Sequence, residues 1–229
     1  MTVDAVLFDL DGTLCEYRRP GDEVLALAFD AVGVEPFFSV ADYYERYGEF
    51  APAAEGPTEL RELAFEAIAT ERGRPAALGR ALANAYAERR DHAAVDPLPG
   101  VPGVVRDLAA KRRVGLVTNG GPEMQWDKLR TLGLEEAFDV ILFAGHHNEE
   151  WGHLPAKPDA EPFRVACDAL GVAPERTVHV GNAPEADVAG AAAAGLTSVL
   201  VGGREPVDGA EPDHTVGAVA DLLALDGLP

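Results

Sequence analysis

The sequence predicts an α/β protein: a Rossmann-like parallel sheet core that carries an inserted helical subdomain. Three observations predict it. The chain opens on a short β-rich apolar run, Val3 to Phe8, broken only by Asp4. Residues 17–92 then carry little strand signal and much alanine at helical spacing. Beyond Gly103, strands and helices alternate to the end. Repeated βα units imply parallel strands joined by right-handed crossovers.

Val3–Phe8 reads as a central strand, because strands buried on both faces are almost continuously apolar. Asp11-Gly12-Thr13 after it is turn chemistry. In 17–92 the apolar residues recur at helical spacing: Val24, Leu25, Leu27, Ala28, Ala31; Leu60, Leu63, Ala64, Ala67, Ile68; Leu78, Ala81, Leu82, Ala85, Tyr86. Pro36, Pro52, Pro57 and Pro75 divide this stretch into about four helices, since proline belongs near helix starts. Tyr43, Tyr44 and Tyr47 read as one helical face packed on that core. Asp96–Pro102 is a stiff return linker. The organisation is therefore 1–16 with 93–229 as core and 17–92 as insertion.

The returning chain predicts helices at Gly103–Lys111, Pro122–Leu132, Asp159–Leu170, Glu185–Ala194 and Val219–Leu225. Strands are expected at Arg113–Thr118, Val140–Phe143, Thr177–Val180 and Ser198–Val201. Gly133 and Gly171 stand where helices end. In open parallel sheets ligands bind beyond the carboxyl ends of the strands. Polar residues occupy several such ends: Asp9 and Asp11, Thr118 and Asn119, and Asn182.

Their chemistry is specific. Two carboxylates two residues apart at the end of a buried strand repel one another, and desolvation adds to the cost. A divalent cation removes both objections, and magnesium suits hard oxygen ligands with substrate phosphate. Asp9 is the candidate nucleophile, since a carboxylate attacks without prior deprotonation. Asp11 is the candidate acid/base. Gly12, Thr13, Thr118, Asn119 and Gly120 are the candidate phosphate-binding residues, the second group lying before a helix N-terminus. Lys157, between Pro155 and Pro158, offers a point positive charge. Asn182 and Asp187 complete a candidate metal set with Asp9 and Asp11.

These residues form four short motifs in one order: DLDGT at Asp9–Thr13, TNG at Thr118–Gly120, AKP around Lys157, and GNxxxxD from Gly181 to Asp187. The whole chain resembles the haloacid dehalogenase (HAD) superfamily, in its capped phosphatase subgroup. The resemblance implies a Rossmann-like core, a helical cap formed by the insertion, and Mg²⁺ held by Asp9, the backbone carbonyl of Asp11 and the fourth motif. It further implies hydrolysis of a small phosphorylated metabolite. Asn182 departs from the usual Gly-Asp start of that motif and removes one charge from the metal site. Asp11 separates this chain from the dehalogenases, which lack an acid there. A phosphomutase, or a non-catalytic ligand-binding protein on the same fold, are the alternative readings.

Other features are read as structural. His146, His147 and His153 form a polar loop, with a second metal site as the sharper alternative. His179 is expected inside a strand. Cys15 and Cys167 have no metal spacing, and no signal peptide or membrane span is evident, so a reducing cytoplasmic setting is expected. Asp and Glu number 39 against 19 basic residues, a formal net charge of −20. Such a surface repels nucleic acid and anionic membranes. The acids are scattered along the chain, which fits solvation in concentrated salt. Screening would then relieve their repulsion. The protein is expected to lose structure as ionic strength falls; a melting temperature unchanged on salt removal would overturn the halophilic reading.

Overall fold

The computed structural model describes residues 3–50, 54, 56–203, 205, 207 and 209–225. The side chains of residues 47, 48 and 57 lie outside this description. So does Pro52, one of the expected helix dividers, and the side chain of Tyr47. The chain divides into two compact units, Met1–Glu16 with Val95–Pro229, and Tyr17–Ala94.

The strands β1 (Ala5–Phe8), β4 (Arg113–Thr118), β5 (Val140–Phe143), β8 (Thr177–Gly181), β9 (Thr197–Val201) and β10 (His214–Val216) form one sheet in the order β10-β9-β8-β1-β4-β5, and the short β2 (Cys15–Tyr17) and β3 (Val95–Pro97) pair separately. Every pairing within the sheet is parallel. All four residues of β1 are fully buried, as a strand with neighbours on both edges requires. Phe8 pairs with Leu116 on one side and Val180 on the other. Sequence order runs outward from β1 through β4 to β5, then returns to β8 and runs outward the other way. The order therefore reverses beside β1, the switch point where such sheets bind ligands.

The helices are α5 (Gly103–Ala109), α6 (Pro122–Leu132), α7 (Glu161–Leu170) and α8 (Ala189–Ala194). Proline opens α6, and left-handed glycines close α6, α7 and α8 at Gly133, Gly171 and Gly195, as glycine does after helix ends. Leu7, Val117, Leu142, Phe163, Ala166 and Ala191 share one buried cluster. Asp4, the exception in the first run, stays outside β1 and pairs with Arg176 at 2.7 Å.

Three expectations change. Glu185–Ala194 is not one α-helix: Pro184–Val188 is a π-helical turn, and α8 follows. Its wider turn accompanies a bond from the Ala183 N–H to Asp187 Oδ2 at 3.0 Å. Val219–Ala224 is 3₁₀-helical. Short polar strands escape the periodicity test: β10 has two exposed residues of three, and β6 (His147–Asn148) and β7 (Gly152–His153) form a hairpin inside the expected loop. Asn148 fastens that hairpin by accepting from the Phe143 N–H at 2.9 Å and donating to the Phe143 carbonyl at 3.1 Å.

The second unit contains α1 (Gly21–Val32), α2 (Val40–Phe50), α3 (Pro57–Glu71) and α4 (Ala76–Arg89). Its core is separate: Val24, Phe29, Phe38, Tyr43, Leu60, Phe65, Leu82 and Tyr86 are buried together. Phe38 and Tyr43 meet Phe65 edge-on, with ring centroids 4.9 and 5.2 Å away, the preferred aromatic geometry. Tyr44 does not join them; it is 56% exposed. At Gly79 the backbones of α3 and α4 meet. A Cβ there would stand 2.3 Å from the Phe65 carbonyl oxygen. Gly79→Ala should therefore destabilise the protein by about 1–3 kcal/mol, the usual cost of overpacking, despite alanine's better helix propensity. Thermal and denaturant unfolding would check this; a neutral or stabilising result would show that the helices separate freely.

Candidate active site

Asp9 follows β1, and its N–H donates to the Val180 carbonyl at 2.9 Å. This bond extends the strand's pairing and fixes the carboxylate at the carboxyl end of the sheet. Asp9 is 7% exposed. Its Oδ1 accepts from Lys157 Nζ at 2.8 Å. Its Oδ2 accepts from the Thr13 hydroxyl at 3.2 Å. Lys157 Nζ also donates to Asp187 Oδ1 at 2.6 Å, and His179 Nε2 lies 3.0 Å from the same oxygen. Asp9, Lys157, Asp187 and His179 therefore form a buried chain of alternating roles across the ends of β1 and β8.

Asn119 holds Lys157 in place. Its side-chain oxygen accepts from the Lys157 N–H at 2.8 Å, and its Nδ2 donates to the Lys157 carbonyl at 3.1 Å. The asparagine side chain thus acts on the lysine backbone. Thr118, at the end of β4, accepts from the Gly120 N–H at 3.2 Å and from Gln125 Nε2 at 2.8 Å. Gly12 has φ 77, a conformation that favours glycine. Its N–H donates to the Cys15 carbonyl, while the Thr13 N–H reaches the Leu10 carbonyl. Both amides are thus engaged within the nucleophile loop.

The glycines of these motifs also make room. A Cβ on Gly12 would lie 2.1 Å from Asn182 Nδ2, one on Gly120 1.7 Å from Gln125 Nε2, and one on Gly181 2.2 Å from Asp187 Cγ. Each position gives space to a polar side chain of the site.

Asp11 is held by α6. Gln125 Nε2 donates to its Oδ2 at 2.8 Å, and Lys128 Nζ to its Oδ1 at 2.6 Å. Sequence reasoning missed Gln125, Lys128 and the contact of His179. A signal for two of them existed. Gln125, Lys128, Leu129 and Leu132 are the buried stripe of α6, at the i, i+3, i+4, i+7 spacing of a core-facing helix. Two polar residues on such a stripe ask for partners, and Lys128 is one of three lysines.

Charge is unevenly distributed. Burial pushes Asp9 up to about 6; Lys157 opposes the shift, and Asp187 and Asp11 add to it. Burial also acts on Asp187, but Lys157 and His179 outweigh it and hold this carboxyl well below the usual range. Burial would lower Lys157, yet Asp9 and Asp187 keep its pKa raised. Burial holds His179 below its ordinary value. Its Nε2 stands within hydrogen-bond distance of Asp187, and Nδ1 is buried without a hydrogen-bond partner among the described residues.

Among the described residues no group of three His, Cys, Asp or Glu is arranged to hold a metal ion. A cation here would need mixed oxygen donors: the Asp9 carboxylate, the Asp11 carbonyl and the Asn182 amide. Asn182 lies against Gly12, and these hard oxygens fit magnesium. Asp187 is differently placed, with Oδ1 on Lys157 and His179 and Oδ2 on the Ala183 N–H.

Folded Asp9 holds its proton more tightly than an unfolded chain does. That group alone lowers stability as pH rises from 3.8 to about 6, because the native state binds more protons there. In metal-free protein the Asp9 carboxyl carbon should titrate near pH 6, and higher still in Lys157→Met, where the opposing ammonium is gone. Carbon NMR would check this; an ordinary carboxylate titration would contradict the burial argument.

Residues 3–195 match the haloacid dehalogenase-like hydrolase family. A phosphoserine phosphatase of Thermus thermophilus is 32% identical over 97% of this chain and 99% of its own length. A pyrimidine 5′-nucleotidase of Escherichia coli is 27% identical, with 98% of each chain covered. A HAD-hydrolase of Bacillus subtilis, solved bound to magnesium, shares the fold with a TM-score of 0.74 at 22% identity over 98% of both chains. The chain belongs to the haloacid dehalogenase-like hydrolase family.

Proposed function

We propose that this hydrolase cleaves a small phosphate monoester through a phosphorylated Asp9. One observation carries the reading. A buried carboxylate at the end of the central strand has both oxygens oriented, by Lys157 and Thr13, with a second carboxylate two residues on, tied to α6. Family membership and full-length similarity to a phosphoserine phosphatase support phosphate ester hydrolysis.

In the first step an Asp9 oxygen bonds to phosphorus as the ester P–O bond breaks. Asp11 delivers a proton to the departing alkoxide. Asp11 then takes a proton from water, whose oxygen displaces Asp9 and releases orthophosphate. The Lys157 ammonium steadies Asp9 and its charge through both transfers. Thr118 and the loop after it lie at the next strand end, where the phosphate would be received. Magnesium, held by Asp9, the Asp11 carbonyl and Asn182, would supply charge neutralisation for the phosphoryl group. Asp187 serves, in this reading, to hold Lys157 and the Ala183 turn. Residues 17–92, the cap in this reading, govern substrate choice. No helix among the described residues is long and apolar enough to cross a membrane, and a cytoplasmic, halophilic setting is part of the proposal.

A phosphomutase would pass the phosphoryl group to a second hydroxyl and release little orthophosphate. A screen of phosphorylated metabolites with Mg²⁺ at molar salt separates the two. Orthophosphate release is expected, abolished in Asp9→Asn and lowered about 10²–10⁴-fold in Asp11→Asn, the range for a lost general acid. Activity that survives in Asp9→Asn would sink the nucleophile assignment.

A further inference from the structure

The first turn of α6 carries a glutamine that the reaction as written does not use. Gln125 is fully buried. Its Nε2 donates both hydrogens, one to Asp11 Oδ2 and one to Thr118 Oγ1, each at 2.8 Å. One amide nitrogen therefore spans the candidate acid and the strand end where the phosphate would be received. Its Oε1 is buried with no hydrogen-bond partner among the described residues. An unsatisfied buried carbonyl is costly, and in a native structure it calls for a reason. Turning the amide over would not relieve it, since Oε1 would then face a carboxylate oxygen. An apolar residue would suit the stripe shared with Leu129 and Leu132 and would carry no such cost. The advantage of glutamine over leucine here is its pair of donors.

Both donors act on groups of the site. A hydroxyl has one hydrogen and two acceptor lone pairs. Thr118 Oγ1 accepts from Gln125 Nε2 and from the Gly120 N–H at 3.2 Å, which fills both lone pairs. Its hydrogen is left to donate, and a phosphate oxygen beyond the strand end would accept it. Asp11 is gripped on both oxygens, on Oδ2 by Gln125 and on Oδ1 by Lys128 Nζ at 2.6 Å. Two contacts fix the plane of the carboxyl group, where one would leave it free to turn. Each oxygen keeps a further lone pair on which a proton can be carried. Gly120 gives the amide its room: a Cβ there would lie 1.7 Å from Nε2.

We propose that Gln125 is a positioning residue for phosphoryl transfer. It sets the spacing between the Asp11 carboxyl group and the Thr118 hydroxyl, so that the leaving oxygen and the phosphate are met together. It touches no reacting atom and acts through those two groups. This inference rests on the phosphohydrolase reading and deepens it. A residue that merely packs α6 would affect all substrates alike.

The test is a double-mutant cycle on the full chain, with Mg²⁺ at molar salt, read as kcat/KM. That ratio reports the steps up to transfer onto Asp9, so the water step common to all substrates drops out. Gln125→Met keeps the side chain's length and removes both donors. On an alkyl phosphate it should lower kcat/KM about 10²-fold, the scale for a catalytic group misplaced by about an ångström. In the Asp11→Asn background the same change should cost at most about tenfold, the worth of the bond to Thr118. On dinitrophenyl phosphate, whose leaving group departs without a proton, the loss should also stay within about tenfold. Losses that multiply in the double variant, as independent sites do, would overturn the proposal. So would equal losses on the two esters, or an unimpaired Gln125→Met enzyme. If Gln125→Met is unfolded by circular dichroism, Gln125→Glu, which keeps the amide's shape but not its donors, carries the same expectations. A wild-type protein that releases orthophosphate from no phosphomonoester would instead sink the phosphohydrolase reading itself.

Discussion

One buried ammonium organises the active-site unit. Lys157 meets Asp9 at 2.8 Å and Asp187 at 2.6 Å, with the lysine and Asp187 side chains each 2% exposed. Burying ions costs several kcal/mol each after relaxation, and only good geometry offsets it. The fold supplies that geometry from four directions. β1 presents Asp9, the π-turn after β8 presents Asp187, His179 on β8 steadies Asp187, and Asn119 after β4 grips the lysine backbone. The strand order β8-β1-β4 is what brings these groups to one point.

The same arrangement divides the two carboxylates beside the lysine. Asp187 receives several donors and stays well below the usual range, while Asp9 shares one ammonium and one hydroxyl and is raised by burial. A nucleophile needs its lone pairs available, and a carboxylate saturated with donors is a poor one. The weaker hold on Asp9 is thus consistent with attack, and the stronger hold on Asp187 with a structural duty. Burial gives both residues the same problem, and the number of donors separates their roles.

Much of this was legible in the sequence, for a physical reason. A central parallel strand must be apolar throughout, so Val3–Phe8 announced β1, and polar residues at strand ends announced the ligand edge. Glycine and proline marked helix limits because backbone conformation demands them there. Side-chain partnerships were less legible. Gln125 and Lys128 lie 114 and 117 residues from Asp11 along the chain, and periodicity could only mark them as anomalous. Asn119 reads as a backbone N–H donor to phosphate, and its side chain in addition closes a pair of bonds on Lys157 that no spacing rule anticipates. The edge strand β10 and the small β6–β7 hairpin are too short and too polar for a period to appear. The π-turn depends on how Asp187 folds back on Ala183, a local competition that a helical propensity of alanines conceals.

The choice of cations follows from the same chemistry. Sixteen of the nineteen basic residues are arginine, and arginine serves well where a planar fork grips a carboxylate from its edge. At the site the demand differs. One nitrogen must meet single oxygens of two separate carboxylates, Oδ1 of Asp9 and Oδ1 of Asp187. A tetrahedral ammonium can direct its three donors to such divergent acceptors, and a flat guanidinium is less suited to them. Lys128, its side chain 3% exposed, likewise meets one oxygen of Asp11 beside Gln125. Two of the chain's three lysines therefore stand on the motif carboxylates, Lys157 on Asp9 and Asp187 and Lys128 on Asp11. Their scarcity elsewhere makes lysine, in this sequence, a marker of buried point charge.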